Sequence, residues 1–269
     1  MTYSEALKFC CDAFEKNGIE NSGNESRWLL ESVDDGYMLK LRDEMPAEDA
    51  DEYFELAERR ICGEPLQYLT GQWEFYGYEY YVGKGVLIPR PETEMLVDFA
   101  KEYLKGKNSP VVLDLCAGTG CVGLSVAKEI PESTVYLVEK YDGAFAYLER
   151  NAQAVKNARP VKGDIFENLD LPKADLILSN PPYIKSDEIA ALQREVHFEP
   201  ETALDGGKDG LIFYRRIAQL LCETECECVA VECGEEQAED IKKIFSGMEI
   251  TKAVKDFNGF ERIVIAQNK

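Results

Sequence analysis

The 269-residue chain has one histidine, His197, and no apolar run near the ~20 residues that cross a bilayer. It has no low-complexity tract. Basic side chains are scarce: 30 against 51 acidic ones, a formal net charge of -21. A surface this acidic repels phosphate backbones, which excludes a general nucleic-acid binder and favours a basic protein partner. The first residues carry Glu5, Asp12 and Glu15 instead of a basic stretch leading into an apolar one, so no secretory leader or membrane anchor is expected and the location expected is cytoplasmic. Nine cysteines, an odd number scattered along a chain too large to need staples, read as reduced thiols. Cys222, Cys226 and Cys228 are close together but lack a second ligand pair, so no metal site is expected.

What is present is a buried strand that stops abruptly. Leu176–Leu178 is a short apolar run, and Asn180-Pro181-Pro182-Tyr183 follows it. Two prolines cannot extend a central strand, and Pro181 keeps Asn180 extended. The carboxyl end of a strand is where open α/β sheets bind ligands. A strand-ending turn would account for Asn-Pro alone. The four residues together place a planar amide, bare carbonyls and an aromatic ring at one spot, suited to gripping an NH2 group.

Residues 1–72 show helical spacing throughout, with Ser4 as a cap, an apolar face at Ala6, Leu7, Cys10 and Phe14, a second helix opened by Asn24 with Trp28, Leu29 and Leu30, and a third over Ala47–Arg60. Residues 73–94 read as an aromatic β-hairpin around Gly77 and a linker, with Val86–Ile88 as a strand halted by Pro89 and Pro91. Residues 95–269 alternate strand and helix: strands at Val111–Leu115, Val135–Val138, near Val161, at Leu176 and at Cys228–Cys233, with a helix over 208–221. A closing hairpin around Asn258-Gly259 supplies an antiparallel strand. The expected class is α/β, a doubly wound and mainly parallel sheet beside a small N-terminal helical domain.

Gly118, Gly120 and Gly123 form G-x-G-x-x-G after a strand and before a helix, and Glu139 lies about 20 residues on, where an acid binds a ribose hydroxyl. These residues alone suit any adenosine-containing ligand. Asp114, ahead of the glycines, repels a diphosphate and welcomes a cation, which favours S-adenosylmethionine over a dinucleotide. Asp164 and Ile165 are placed for the adenine. With a methyl donor there, the Asn180 turn would aim an amino group at the sulfonium methyl. No titrating base is evident, and the lone His197 reads as structural.

In combination, Asn180–Tyr183 and the Asp114–Gly120 loop resemble class I S-adenosylmethionine-dependent amino-group methyltransferases. Gly63–Tyr68, Leu87–Glu94, Glu199-Pro200, Gly206–Leu211, Val231–Gly234 with Gln237, and Asp256 with Asn258-Gly259 and Arg262 resemble the peptide chain release factor glutamine N5-methyltransferases (the HemK/PrmC family). The resemblance implies a seven-stranded Rossmann-like methyltransferase sheet over 95–269 and a docking role for 1–72. It implies as substrate the glutamine of the Gly-Gly-Gln loop of class 1 release factors; the charge leads us to expect no direct nucleic-acid binding, and a monomer is expected. Asn180, Pro181, Pro182 and Tyr183 would bind that glutamine, with Asn180, Pro181 and Tyr183 catalytic. Asp114, Cys116, Ala117, Gly118, Thr119, Gly120, Glu139, Asp164, Ile165 and Asn180 would contact the cofactor. Cys116-Ala117 and Glu139-Lys140 depart from the family's common glycine and aspartate, predicting altered affinity. An adenine-N6 DNA methyltransferase shares the turn but conflicts with the charge. A non-catalytic factor-binding module and a nicotinamide oxidoreductase fit the motifs less well.

Overall fold

The computed structural model describes residues 1–268. The chain divides into two compact units, Met1–Gln72 with Gln193–Phe198, and Trp73–Leu192 with Glu199–Lys269.

The first unit is helical: α1 (Tyr3–Lys16), α2 (Ser22–Val33), α3 (Ala47–Ile61) and the single turn α4 (Leu66–Thr70). The cap of α1 is Thr2 and not Ser4. The Thr2 hydroxyl accepts from the Glu5 amide while the Glu5 carboxylate accepts from the Thr2 amide, a reciprocal box unavailable two residues later. The second helix likewise starts earlier than Asn24, at Ser22. Tyr3, Ala6, Cys10 and Phe14 bury one face of α1, with Leu29, Leu30, Tyr53 and Ala57. Trp28, beside the buried Leu29 and Leu30, is 41% exposed. Arg60 is buried and is tolerated because Glu25 and Glu195 both pair with it, at 2.5 and 2.8 Å.

The second unit holds the hairpin β1 (Gln72–Phe75) and β2 (Tyr78–Tyr81), and a seven-stranded sheet. Its strands are β3 (Val111–Leu115), β4 (Thr134–Glu139), β5 (Ala158–Lys162), β6 (Leu176–Ser179), β7 (Cys228–Glu232), β8 (Glu249–Lys255) and β9 (Glu261–Gln267), in the order β5-β4-β3-β6-β7-β9-β8. The first five pair in parallel, and β9 runs antiparallel to both β7 and β8. This is the expected mainly parallel, doubly wound architecture with one reversed strand. Helices α5 (Glu94–Tyr103), α6 (Cys121–Glu129), α7 (Asp142–Ala152), α8 (Ile212–Glu223) and α9 (Ala238–Ile244) complete it. Two apolar clusters cover the sheet. One contains Leu96, Leu124, Leu137 and Leu178, the other Leu113, Ile177, Tyr214 and Val229. All four residues of β6 are buried, as an apolar run in a parallel sheet requires. Among the described residues, no helix is long and apolar enough to cross a membrane.

Two elements differ from the sequence reading. Val86–Ile88 is not a strand: the Ile88 amide donates to the Glu199 carboxylate at 3.0 Å, not to a ladder, and the flanking prolines have no N–H to offer. Helix α8 begins at Ile212, not at 208, because Gly207 and Gly210 take positive φ and hold a turn. That turn closes on the Asn180 segment. The Ile184 amide donates to the Leu204 carbonyl and the Gly206 amide to the Ile184 carbonyl. A Cβ on Gly206 would lie 2.8 Å from both the Pro182 oxygen and the Tyr183 Cα, and 2.9 Å from the Gly210 Cα. All three are backbone atoms with little freedom to yield. Gly206→Ala is therefore expected to cost roughly 1–3 kcal/mol, read as a lower urea midpoint; an unchanged midpoint would mean that the two segments are not held this closely.

Candidate active site

The chain runs outward from β3 to β4 and β5, then returns to place β6 on the other side of β3. At such a reversal the loops leaving neighbouring strands diverge and open a crevice at their carboxyl ends. Here the Ser179 hydroxyl, at the end of β6, donates to the Leu115 carbonyl at 2.6 Å and fixes the two strand ends together. Above them lies an open cleft of about 990 Å³, mouth included. It is lined by Asp114 and Cys116–Thr119 at the end of β3, Val138–Tyr141 at the end of β4, Gly163–Phe166 after β5, and Asn180 and Pro182 after β6. Val86, Arg90, Thr93 and Thr202 contribute further lining.

Of the residues singled out from sequence, Asp114, Cys116, Ala117, Gly118, Thr119, Glu139, Asp164, Ile165, Asn180 and Pro182 meet in this cleft. Gly120, Pro181 and Tyr183 stand outside its lining. Gly120 sits at φ +81° as the residue before α6, where a Cβ would come within 2.5 Å of Leu148 Cδ1, so its contribution is to the path of the loop. Tyr183 packs against the second apolar cluster and turns its hydroxyl toward Glu232 Oε1 at 3.4 Å. His197 is exposed, in the segment grouped with the helical unit. Cys222 is exposed, while Cys226 and Cys228 are buried.

The electrostatics come from carboxylates held in low-dielectric surroundings. Asp114 is 1% exposed, and its Oδ2 accepts from the Gly123 amide at 2.8 Å, capping the first turn of α6. Burial nonetheless pushes its pKa up to about 7, against that amide and with the help of the Glu139 charge. Glu139 accepts from the Gly118 amide at 3.0 Å and the Tyr141 amide at 2.8 Å, so the glycine loop is bonded to the acid expected to face a ribose. Its pKa is also raised, by burial, against the pull of those amides and of Lys162. Burial acts upward on Asp164 too, but Lys140 at 2.9 Å and the Phe166 amide outweigh it and hold that carboxyl low. The two cations on the lining are already paired, Lys140 with Asp164 and Arg90 with Glu199. Asp114 and Glu139, with no paired cation among the described residues, beside the apolar Val138, Ile165 and Phe166 suit a positively charged ligand with a flat ring better than a diphosphate. Cys116 holds φ +60° at the turn, and burial and the Glu139 charge keep its thiol neutral.

At the Asn180 turn, Nδ2 donates to Thr93 Oγ1 at 3.1 Å. Gln237 clamps the far side: its Nε2 donates to the Tyr183 carbonyl at 2.8 Å and the Gly210 carbonyl at 3.3 Å, while its Oε1 accepts from the Gly234 amide.

Residues 92–209 match the Methyltransferase small domain and residues 5–71 the PrmC N-terminal domain. The chain is 38% identical to the release factor glutamine methyltransferase of Geobacter sulfurreducens, over 98% of this chain and 95% of that one. It is 38% identical to that of Thermodesulfovibrio yellowstonii, over 83% and 84%. This chain belongs to the release factor glutamine methyltransferase family. The crystal structure of the hMettl16 catalytic domain, 14% identical with a TM-score of 0.58 over 82% of each chain, shares the fold alone.

The hydrogen bonds around the cleft bring in four residues that spacing did not single out for roles: Thr93, Glu199, Glu232 and Gln237. Glu232 is an acid closing the otherwise apolar strand Cys228–Glu232, and that charge at the ligand-binding end of a buried strand was a legible signal.

Because the folded state raises the Asp114 pKa, it binds that proton more tightly than the unfolded chain does. The associated stability is present below about pH 4 and is lost as pH rises through about 7. Asp114→Asn keeps an acceptor for Gly123 without the charge. Its melting temperature relative to the native chain is expected to rise between pH 5 and pH 8; a pH-independent difference would mean that Asp114 is ionised throughout.

Proposed function

We propose that this enzyme transfers the methyl group of S-adenosylmethionine to the side-chain amide nitrogen of the glutamine in the Gly-Gly-Gln loop of class 1 peptide chain release factors. The observation that carries the reading is the Asn180 amide, whose nitrogen is committed to Thr93 and whose oxygen is left for a substrate N–H at the rim of a carboxylate-lined cleft.

Glu139 would hold the ribose hydroxyls, Ile165 the face of the adenine and Asp164 its amino group. Asp114 and the Cys116–Thr119 loop would hold the amino-acid end. The bound cofactor supplies an electrophilic methyl on a sulfonium. An amide nitrogen is a poor nucleophile because its lone pair is conjugated, so the chain's contribution is placement. Asn180 Oδ1 and a carbonyl of the Pro181-Pro182 turn would accept the two N–H bonds and direct the nitrogen along the line of displacement. The same acceptors stabilise the positive charge that grows on that nitrogen. An N-methylated, protonated amide is strongly acidic and loses its proton to water, so no titrating base is needed beside the turn.

The helical unit would dock the factor, and this chain's net charge of -21 would favour a basic face on that partner. The working form is a cytoplasmic monomer without direct nucleic-acid contact.

The test is transfer of labelled methyl to a class 1 release factor, to the same factor with its Gly-Gly-Gln glutamine changed to alanine, and to adenine-containing duplex DNA. Label on the intact factor alone is the expected result. Label on DNA would overturn the reading and the charge argument with it. Asn180→Ala is expected to lower turnover by about 100-fold or more while changing cofactor affinity only a few-fold; native turnover in that variant would remove the amide-gripping role.

A further inference from the structure

Thr93, which holds the Asn180 nitrogen, is itself bonded to Glu232, and Glu232 enters none of the steps above. Asn180 Nδ2 lies 3.1 Å from Thr93 Oγ1, and Thr93 Oγ1 lies 2.5 Å from Glu232 Oε2. Glu232 Oε1 takes the Tyr183 hydroxyl at 3.4 Å, and its backbone oxygen takes the Tyr214 hydroxyl at 2.8 Å. Thr93 and Glu232 are 2% and 3% exposed. Sequence separations of 87 and 139 residues bring the three side chains together, so the chain is tertiary and not a local turn.

A primary amide is nearly symmetric in shape and opposite in polarity at its two ends. Packing alone therefore does not decide whether Asn180 offers the cleft an acceptor or a donor. A threonine hydroxyl does not decide either, since it both donates and accepts. An ionised carboxylate does, because it only accepts. With Glu232 ionised, the Thr93 proton goes to Glu232, Thr93 Oγ1 has only lone pairs left for Asn180, and Nδ2 must face it. Oδ1 is then turned to the substrate.

We propose that Thr93 and Glu232 are positioning residues that set the polarity of the Asn180 amide, so that the turn takes a substrate's NH2 and rejects its carbonyl. This rests on the methyl-transfer reading above and adds what fixes its selectivity. The arrangement burdens the fold, since a buried carboxylate is costly and only partly offset by Arg262. The groups facing Glu232 are Arg262 on β9, Glu92 ahead of α5, Tyr183 after β6, Tyr214 on α8, Cys121 on α6 and its own neighbour Cys233. Burial pushes the Glu232 pKa up to about 7, with Arg262, Thr93 and Tyr183 pulling the other way. Once protonated, Glu232 donates to Thr93 and frees the Thr93 proton for Asn180 Oδ1, which reverses the amide.

The test uses the full-length enzyme with intact release factor. Thr93→Val keeps the shape and removes the hydroxyl; Thr93→Ser restores it; Glu232→Gln removes the titration. Cofactor affinity, measured by calorimetry, serves as the check that each variant folds. Thr93→Val is expected to lose on the order of tenfold in kcat at saturating factor, with cofactor affinity within a few-fold of native, and Thr93→Ser to recover most of the loss. The native kcat should fall as pH drops below about 7, and Glu232→Gln should show a shallower fall, with only the part that Asp114 contributes. Native kcat in Thr93→Val, equal damage in Thr93→Ser, or an acid limb in Glu232→Gln as deep as the native one would each overturn the proposal. If the native enzyme itself transfers no methyl to the factor, the functional reading fails and the proposal falls with it. Transfer by the native enzyme with an equally active Thr93→Val removes the proposal alone.

Discussion

Two prolines after Asn180 end a strand that is buried over its whole length, and the stop occurs beside the point where the sheet reverses its strand order. Because neither proline has an N–H, the chain leaves the sheet with unpaired carbonyls and one extended asparagine. The rest of the second unit holds that short segment still. Ser179 bonds it to β3, Thr93 holds the amide, Gln237 holds the Tyr183 carbonyl, and the Gly206–Gly210 turn presses against its backbone where a single added carbon would not fit. A poor nucleophile such as an amide gains most from being placed, so this rigidity is the catalytic contribution that the fold can make.

Charge operates on two scales. Over the whole chain a net charge of -21 would favour a basic partner over a polyanion. Within the cleft, Asp114 and Glu139 are buried at a cost in stability, visible as raised pKa values. That cost makes sense where the ligand brings positive charge of its own. The two cations on the lining are each engaged by a neighbouring carboxylate, so neither is left free for a phosphate. The glycine loop thus has the backbone path of a dinucleotide site and the electrostatics of a sulfonium site.

Much of this was legible in the residues. The strand–glycine–helix unit at 111–129, the acid at Glu139 and the proline stop at 181–182 rest on local rules of period and backbone geometry, and they emerged where expected. The miss at Val86–Ile88 has a different character: an apolar tripeptide reads as a strand, yet the Ile88 amide finds a carboxylate 111 residues away. The late start of α8 follows from two glycines whose positive φ no helical periodicity reports. The Asn180–Thr93–Glu232 chain spans three segments, so no spacing within one of them announces it. What a sequence shows poorly is a polar contact made only by tertiary folding.

The most direct test is a crystal structure of the enzyme with S-adenosylhomocysteine and a Gly-Gly-Gln peptide. The account predicts the glutamine NH2 within hydrogen-bond reach of Asn180 and of a carbonyl in the Pro181-Pro182 turn, the Asn180–Thr93–Glu232 chain intact, and Glu139 on the ribose. A glutamine bound away from that turn, or an Asn180 amide rotated off Thr93 to meet the substrate carbonyl, would contradict it.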